Sequence, residues 1–120
     1  MDCIFCKIIN GDIPSYKIYE DEYVLAFLDI NPVNVGHTLV IPKVHTLDIT
    51  TIDNETLMKI VDAAKKVADI LVSKLDAKGF TLQQNNGIVQ EVKHFHLHVI
   101  PKYDKNKKMT IEEVYKLLTN

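Results

Sequence analysis

Residues 94–101 read His94-Phe95-His96-Leu97-His98-Val99-Ile100-Pro101, and this stretch decides the fold of the chain. Side chains of a strand point alternately to its two faces. The histidines would therefore share one face, about 7 Å apart, and the apolar residues between them the other. The pattern predicts a strand over residues 93–102, with one face in the core and the other carrying chemistry.

Three interpretations fit a row of histidines on one face of a strand. They could be polar groups satisfied within the fold, although core packing alone does not require three imidazoles side by side. They could bind a metal, because imidazole is the commonest metal ligand in proteins. They could also supply a nucleophile, because a neutral imidazole attacks without a separate base to remove its proton.

The histidine motif resembles the signature of the histidine triad family of nucleotide hydrolases and transferases. That signature is His-φ-His-φ-His-φ-φ with φ apolar, and residues 94–100 match it in full. The resemblance extends upstream to LDINP at residues 28–32, GHTLVIPK at 36–43 and NNG at 85–87, in the family's order. It covers most of the chain and implies the fold, the activity and the site residues of the family.

The resemblance implies a hydrolase that acts at the α-phosphorus of nucleoside monophosphate esters or amidates. His96 would be the nucleophile, and water would cleave the nucleotidyl-histidine intermediate. His98 would donate a hydrogen bond to the phosphate, and His37 would support the site. Two alternatives stay open for a purine nucleotide partner: a regulatory binding module with little turnover, and a dinucleoside polyphosphate hydrolase. A metalloenzyme that uses all three histidines of the motif is a further alternative.

The same resemblance assigns the nucleotide contacts. Asp29 would hold the ribose, since a carboxylate can accept hydrogen bonds from both hydroxyls. The base would pack on Ile30 and, on its other side, on Phe5 and Ile9. Phosphate oxygens would be held by Asn85 and by the backbone of Gln90 and Glu91.

Glu91 departs from many hydrolases of the family, which have Ser or Thr at this position to help the leaving group depart. A carboxylate beside a phosphodiester repels it unless the carboxylate is protonated or turned away. Glu91 is therefore expected to change the leaving-group preference or to donate a proton.

The only two cysteines form the motif Cys3-x-x-Cys6. A structural disulfide is not expected in a reducing cytosol, which leaves a redox pair, two inert thiols or half of a zinc site. Some members of the family combine such a motif with a histidine just after the Val-Ile-Pro-Lys strand and with the first triad histidine. This resemblance implies a structural zinc held by Cys3, Cys6, His45 and His94, which would leave His96 and His98 free for chemistry.

Size and composition predict one domain over residues 1–120 with a single core. Charged residues make up 25%, hydrophobic residues 47%, and the formal net charge is -2. This balance argues against broad binding of nucleic acid polymers or acidic membranes, although a nucleotide needs only a local site. No segment approaches the ~20 apolar residues of a membrane span, and the first residues lack a basic and apolar leader pattern. A cytoplasmic location is expected.

Periodicity and turn residues predict an α+β fold: a five-stranded antiparallel sheet, one long helix on one face and short helices near both termini. The predicted elements are a helix over 3–9, strands over 16–20, 23–29, 37–42, 80–84 and 93–102, a long helix capped by Asp53, and a helix over 110–118. Gly79 is expected to provide the left-handed exit of the long helix. The family resemblance further implies a two-fold homodimer that extends the sheet, with close helix approach at the small residues around Ala63 and Ala64.

Overall fold

The computed structural model describes residues 3–120. It contains three α-helices and five strands within that range. In chain order these are α1 (Ile4–Ile9), β1 (Lys17–Glu20), β2 (Val24–Leu28), β3 (Thr38–Pro42), α2 (Asn54–Leu75), β4 (Gly79–Gln84), β5 (Leu97–Lys102) and α3 (Ile111–Thr119). A short 3₁₀ turn, Gly87–Val89, lies between β4 and β5. No helix in the described part of the chain is long and apolar enough to cross a membrane.

The strands form one sheet in the order β1-β2-β3-β5-β4, and every neighbouring pair is antiparallel. This confirms the predicted α+β class with its single long helix and short helices near both ends. β5 lies between β3 and β4, where His98 is opposite Leu39 on one side and Gln83 on the other. The motif strand therefore has a neighbour on each side, which holds its histidine in place.

The two faces of the sheet are covered by different helices. Phe95 and Val99 are fully buried in the larger core beside α2. The other face carries a smaller cluster around Phe5 of α1, and both imidazoles of His94 and His96 lie edge-on to that ring. The alternation predicted for the motif is confirmed, because apolar residues face α2 and histidines face α1.

The predicted bounds of the motif strand were wrong, since β5 begins at Leu97 and not at residue 93. His94 and His96 precede it, His94 in a bend and His96 in irregular backbone outside the ladder, and the Phe95 N–H donates to the carbonyl of Thr46 at 2.7 Å. Pairing of β3 with β5 ends at Val40 opposite Leu97. Pro42 explains the end of the ladder, because proline has no N–H to donate to a neighbouring strand.

The termini of α2 match the prediction at one end only. Asp53 is the N-cap, accepting a hydrogen bond from the Thr56 N–H at 2.7 Å. The predicted left-handed exit at Gly79 was wrong, since Asp76 has the left-handed conformation, with φ 59 and ψ 37, and Gly79 opens β4. Aspartate is one of the few residues that tolerate this region, so a glycine is not required there.

The small residues of α2 lie inside the chain and not on a free helix face. Ala63 and Ala64 are 2% and 3% exposed and belong to the larger core. Ala63 and Ala64 are therefore not available for the close helix approach predicted at these two positions. Small side chains at these positions let α2 approach its own sheet.

Candidate active site and metal centre

His96 is oriented by the backbone two residues before it. Its Nδ1 donates to the carbonyl of His94 at 2.8 Å, because a carbonyl oxygen can only accept. In the neutral ring the lone pair is then on Nε2, which makes no hydrogen bond with the described residues. The ring is 4% exposed and lies 5.1 Å from the ring of Phe5, edge to face. A buried, oriented imidazole with a free nitrogen is a candidate nucleophile.

A cavity of about 470 Å³ lies beside this ring, between α1, the end of β2 and the segment that leads into β5. Its volume falls in the range of small-molecule sites. Six of the predicted site residues line it: Phe5, Asp29, Ile30, Glu91, His96 and His98. Most of the remaining lining is apolar, which suits a planar base at one end and polar chemistry at the other.

Four other predicted residues lie outside the cavity lining. Ile9, the last residue of α1, packs against the smaller core. His37 contacts the His98 ring without lining the cavity itself. The Gln90 side chain is buried and donates to the Leu47 carbonyl at 2.6 Å. Asn85 follows β4, and its side chain accepts a hydrogen bond from Gln83.

Several lining residues were not predicted from the sequence, among them Ile13, Ser15, Tyr16 and Phe27. Phe27 had a signal, because alternation in β2 places it on the same face as Leu25, which packs with α1. Ser15 and Tyr16 had none, since an isolated pair of this kind between Pro14 and a strand is equally typical of an ordinary loop.

His98, His37 and Asp29 form a second polar cluster at the cavity wall. Nε2 of His37 and Nδ1 of His98 are 2.9 Å apart, and Nε2 of His37 is 3.7 Å from the Asp29 carboxylate. Burial lowers the pKa of His98 to about 4, with smaller contributions from His96 and His37. Burial also lowers the pKa of His37, although the Asp29 charge opposes the effect. Both rings are therefore neutral near neutral pH.

The predicted zinc ligands are brought together from three parts of the chain. The donor atoms of Cys3, Cys6, His45 and His94 all lie within 4.8 Å of one another. Sγ of Cys3 is 3.4 Å from Nδ1 of His94, and Sγ of Cys6 is 3.3 Å from Nδ1 of His45 and 3.6 Å from Nδ1 of His94. In a tetrahedral zinc shell, sulfur and nitrogen ligands are about 3.6 Å apart.

The orientation of His94 also fits a metal ligand. Its Nε2 donates to the carbonyl of Pro42 at 2.8 Å, so the lone pair of the neutral ring is on Nδ1, facing the thiols. Burial lowers the pKa of His94, which favours this neutral form, and burial together with the neighbouring Cys3 raises the pKa of Cys6. The donor set and its geometry fit zinc, which would join α1, the segment after β3 and the motif.

Asp29, His37 and His98 also place three ligand atoms within 4.8 Å of one another. Two of those atoms already face each other across the 2.9 Å hydrogen bond between the rings. A metal there would need both nitrogens unprotonated, whereas that hydrogen bond needs a proton between them. This cluster is better suited to hydrogen bonding than to holding an ion.

Comparisons with known proteins agree on one family. The sequence profile of the HIT domain matches residues 10–105. An uncharacterised HIT-like protein of Methanocaldococcus jannaschii is 51% identical over 104 residues, which span 85% of this chain and 80% of that protein. The adenosine 5'-monophosphoramidase of Saccharomyces cerevisiae is 44% identical over 111 residues, or 91% of this chain and 68% of the yeast protein.

A solved structure extends this similarity to the fold. A zinc-bound histidine triad family protein from Mycobacterium smegmatis superposes with a TM-score of 0.92 at 39% identity. The superposition covers 99% of this chain and 91% of the mycobacterial one.

Proposed function

The chain belongs to the HIT, or histidine triad, family, and from this premise we propose that it hydrolyses nucleoside monophosphate conjugates at the α-phosphorus. The proposed substrate class is a purine nucleoside 5'-phosphoramidate, in which an amine is bonded to the phosphorus. Support comes from the adenosine 5'-monophosphoramidase of yeast at 44% identity. The observation that carries the proposal is the Nδ1 hydrogen bond of His96, which directs the proton of a buried ring away from Nε2.

The proposed reaction has two steps at one phosphorus. The Nε2 lone pair of His96 attacks, a P–N bond to the ring forms, and the bond to the amine breaks as that amine takes up a proton. Water then attacks the same phosphorus, the bond to His96 breaks, and the nucleoside monophosphate leaves while the ring returns to neutral. Imidazole is a suitable carrier because it leaves readily once protonated.

The remaining polar groups have proposed roles that follow from their positions. Asp29 would accept hydrogen bonds from the ribose hydroxyls, and Ile30 and Phe5 would contact the base. Glu91 lines the cavity and would supply a proton to the leaving amine or attract its positive charge. Asn85 and the backbone of Gln90 and Glu91 would hold the phosphate oxygens, although Asn85 and Gln90 lie outside the cavity lining.

The charges around the cavity favour an amidate over a dinucleoside polyphosphate. All fourteen cationic side chains of the chain are lysines, and none of them is among the described residues that line the cavity. Two carboxylates, Asp29 and Glu91, do line it. A polyphosphate bears several negative charges and is usually bound by arginine or lysine, which this cavity lacks.

Covalent trapping tests the proposed activity. The wild-type protein is mixed with adenosine 5'-phosphoramidate, quenched without acid, digested and analysed by mass spectrometry. We expect a mass increase of one adenylyl group on the peptide that contains His96, and none in His96→Ala. Nucleotide binding without adenylylation or turnover would instead support the regulatory module. Chelator-sensitive turnover without an adduct would support a metalloenzyme.

We also propose that zinc binds Cys3, Cys6, His45 and His94 in a structural role. The mycobacterial relative is zinc-bound, and the geometry of the four donors here suits a tetrahedral ion. Four protein ligands leave no open position for a substrate or a water, so the ion would supply stability and no Lewis acid.

We also propose a homodimer on the family resemblance, through the predicted extension of the sheet at an edge strand and without Ala63 and Ala64 of α2. β4 is an edge strand whose Phe80 and Leu82 are 44% and 52% exposed. An exposed apolar edge of this kind is normally covered by another strand or chain. Sedimentation at micromolar concentration should show a dimer, and a monomer there would contradict the proposal.

A further inference from the structure

The proton position on His37 is fixed by a backbone group. The N–H of Val33 donates to Nδ1 of His37 at 3.1 Å. A ring nitrogen that accepts a hydrogen bond has no proton of its own, so the proton of His37 is on Nε2. A charged ring would have protons on both nitrogens and could not accept this bond. The contact with Val33 therefore selects one neutral tautomer of His37.

The position of the proton on His37 also fixes the position of the proton on His98. Nε2 of His37 carries the proton and lies 2.9 Å from Nδ1 of His98, so His37 donates and His98 accepts. The proton of neutral His98 must then be on Nε2. That nitrogen is buried and has no hydrogen-bond partner among the described residues, on a ring that lines the cavity. It is a donor that an anionic oxygen bound there would satisfy.

Adjacent histidines of the motif are thus held in opposite tautomers. His96 has its proton on Nδ1, bonded to the His94 carbonyl, and exposes a lone pair at Nε2. His98 has its lone pair occupied by His37 and carries an unpaired N–H at Nε2. One ring can attack a phosphorus but cannot donate from Nε2, and the other can donate but cannot attack.

We propose that the backbone amide of Val33 is a positioning group that, through His37, keeps His98 as a hydrogen-bond donor to the phosphoryl oxygens. The part of this inference that concerns phosphate rests on the proposed function. The tautomers themselves follow from the contacts alone. The role of Val33 lies in its backbone, because its side chain is 67% exposed.

The segment around Val33 is held rigidly enough for this role. The Asn34 side chain donates to the Pro101 carbonyl at 2.9 Å, and the Tyr103 hydroxyl donates to the Val35 carbonyl at 2.6 Å. Gly36 has φ +88 and packs so closely that an added Cβ would lie 2.8 Å from Leu75. These contacts tie the segment to the end of β5 and to α2, so the amide points at His37 without support from a ligand.

The hydrogen bonds from the Val33 N–H to His37 and from His37 to His98 form a relay. Long-range proton–nitrogen NMR of the histidine rings tests this relay directly in the wild-type protein. The nitrogen shifts distinguish protonated from unprotonated ring positions. We expect the proton on Nε2 in His37 and His98 and on Nδ1 in His96. A proton on Nδ1 of His98, or a doubly protonated His37 near neutral pH, would overturn the inference.

A matched pair of variants tests the origin of the relay. Val33→Pro removes the N–H, whereas Val33→Ala keeps it and trims only an exposed side chain. In Val33→Pro we expect mixed tautomers for His37 and His98, and adenylylation of His96 slowed at least about tenfold, toward the ~10²–10³ lost with an oxyanion donor. The effect should fall on kcat more than on KM, and Val33→Ala should match the wild type.

The outcomes separate this inference from the proposed function. Unchanged tautomers and rate in folded Val33→Pro would overturn the role of the amide while leaving the adenylyl-histidine intact. Failure of the wild type to form that adduct would overturn the proposed function, whereas the NMR spectrum would still decide the tautomers. If Val33→Pro does not fold, the wild-type spectrum decides alone, because a proton on Nδ1 of His98 contradicts the relay.

Discussion

The backbone carbonyl of His94 accepts the hydrogen bond that orients His96, across 2.8 Å. One residue thus contributes its ring to the proposed metal shell and its carbonyl to the proposed nucleophile. The position of His94 is secured by protein contacts as well, through Nε2 to the Pro42 carbonyl and through the neighbouring Phe95 N–H to Thr46. The orientation of His96 therefore depends on backbone geometry that does not require the ion.

Replacing the proposed nucleophile should remove turnover and leave binding. We expect His96→Ala to lower kcat for adenosine 5'-phosphoramidate by at least about 10³, since the covalent step is lost. AMP affinity, measured by calorimetry, should change little because the ribose and base contacts lie elsewhere. A variant that keeps a tenth of wild-type kcat would contradict the assignment.

Asp29 should matter only for substrates that have ribose hydroxyls. Its Oδ1 already accepts from the Asn31 N–H at 2.9 Å, which holds the carboxylate at the cavity. Asp29→Ala should raise KM for the adenosine substrate roughly tenfold or more, as expected for a lost hydrogen bond to a charged group. The 2',3'-dideoxy analogue is the control, because it reports structural damage without ribose contacts. Equal losses on both substrates would argue against the ribose role.

Gly36 and Gly11 form a matched pair for steric crowding. Both have positive φ, +88 and +84, so alanine is strained equally at either position. An added Cβ at Gly36 would meet Leu75 at 2.8 Å, whereas at Gly11 nothing lies within 4 Å. Urea unfolding should therefore show a larger loss for Gly36→Ala than for Gly11→Ala, by roughly 1–3 kcal/mol. Equal losses of stability in the two variants would mean that the segment around Gly36 shifts enough to accommodate the methyl group.

Acid should destabilise the protein partly through His98. The pKa of this group is lowered to about 4 by burial, from an ordinary value of about 6.5. Between those values the unfolded chain binds more protons, so the stability from neutral His98 is complete above about pH 6.5 and is lost as the pH falls toward 4. His98→Asn should lose less stability than the wild type between about pH 7 and pH 5, by on the order of 1 kcal/mol in urea titrations.

Acid release of the proposed zinc would affect both proteins in that comparison, so the difference between them isolates the histidine. Identical pH profiles would show that His98 is solvated or charged in the folded protein. That result would also weaken the case for a neutral donor at the cavity wall.

Patterns of side chains could be read from the sequence, whereas backbone geometry could not. Strict alternation placed Phe95 in one core and His96 on the opposite face, as the structure confirms. The bounds of β5 were missed because they depend on where the partner strand ends, at Pro42. The exit of α2 was assigned to Gly79 by residue preference, although Asp76 takes the left-handed conformation.

The contribution of Val33 has no trace in the sequence, because every residue except proline offers the same backbone N–H. Its role becomes visible only when the fold places that amide 3.1 Å from a histidine nitrogen. The proposed zinc ligands are the opposite case. Cysteine and histidine are distinctive residue types, so Cys3, Cys6, His45 and His94 could be predicted together before the structure placed them within reach of one ion.

Removing the metal should separate stability from chemistry. The wild-type protein should contain about one zinc per chain, and Cys3→Ser/Cys6→Ser should release it, because the shell loses two of its four ligands. The melting temperature should fall, since α1 is then no longer tied to the segment before β5. His96 should still become adenylylated, because the Pro42 and Thr46 carbonyls hold His94 and Phe95 without the ion.

Elemental analysis, thermal unfolding and the adenylylation assay are run on the same preparations, with His96→Ala as the control that should keep its zinc. Zinc lost in His96→Ala but kept in the double cysteine variant would place the ion among the motif histidines. The nucleophile mechanism would then have to be replaced by a metal-assisted one. Zinc lost in the cysteine variant together with all adenylylation would instead show that the ion holds the His94 carbonyl in position for His96.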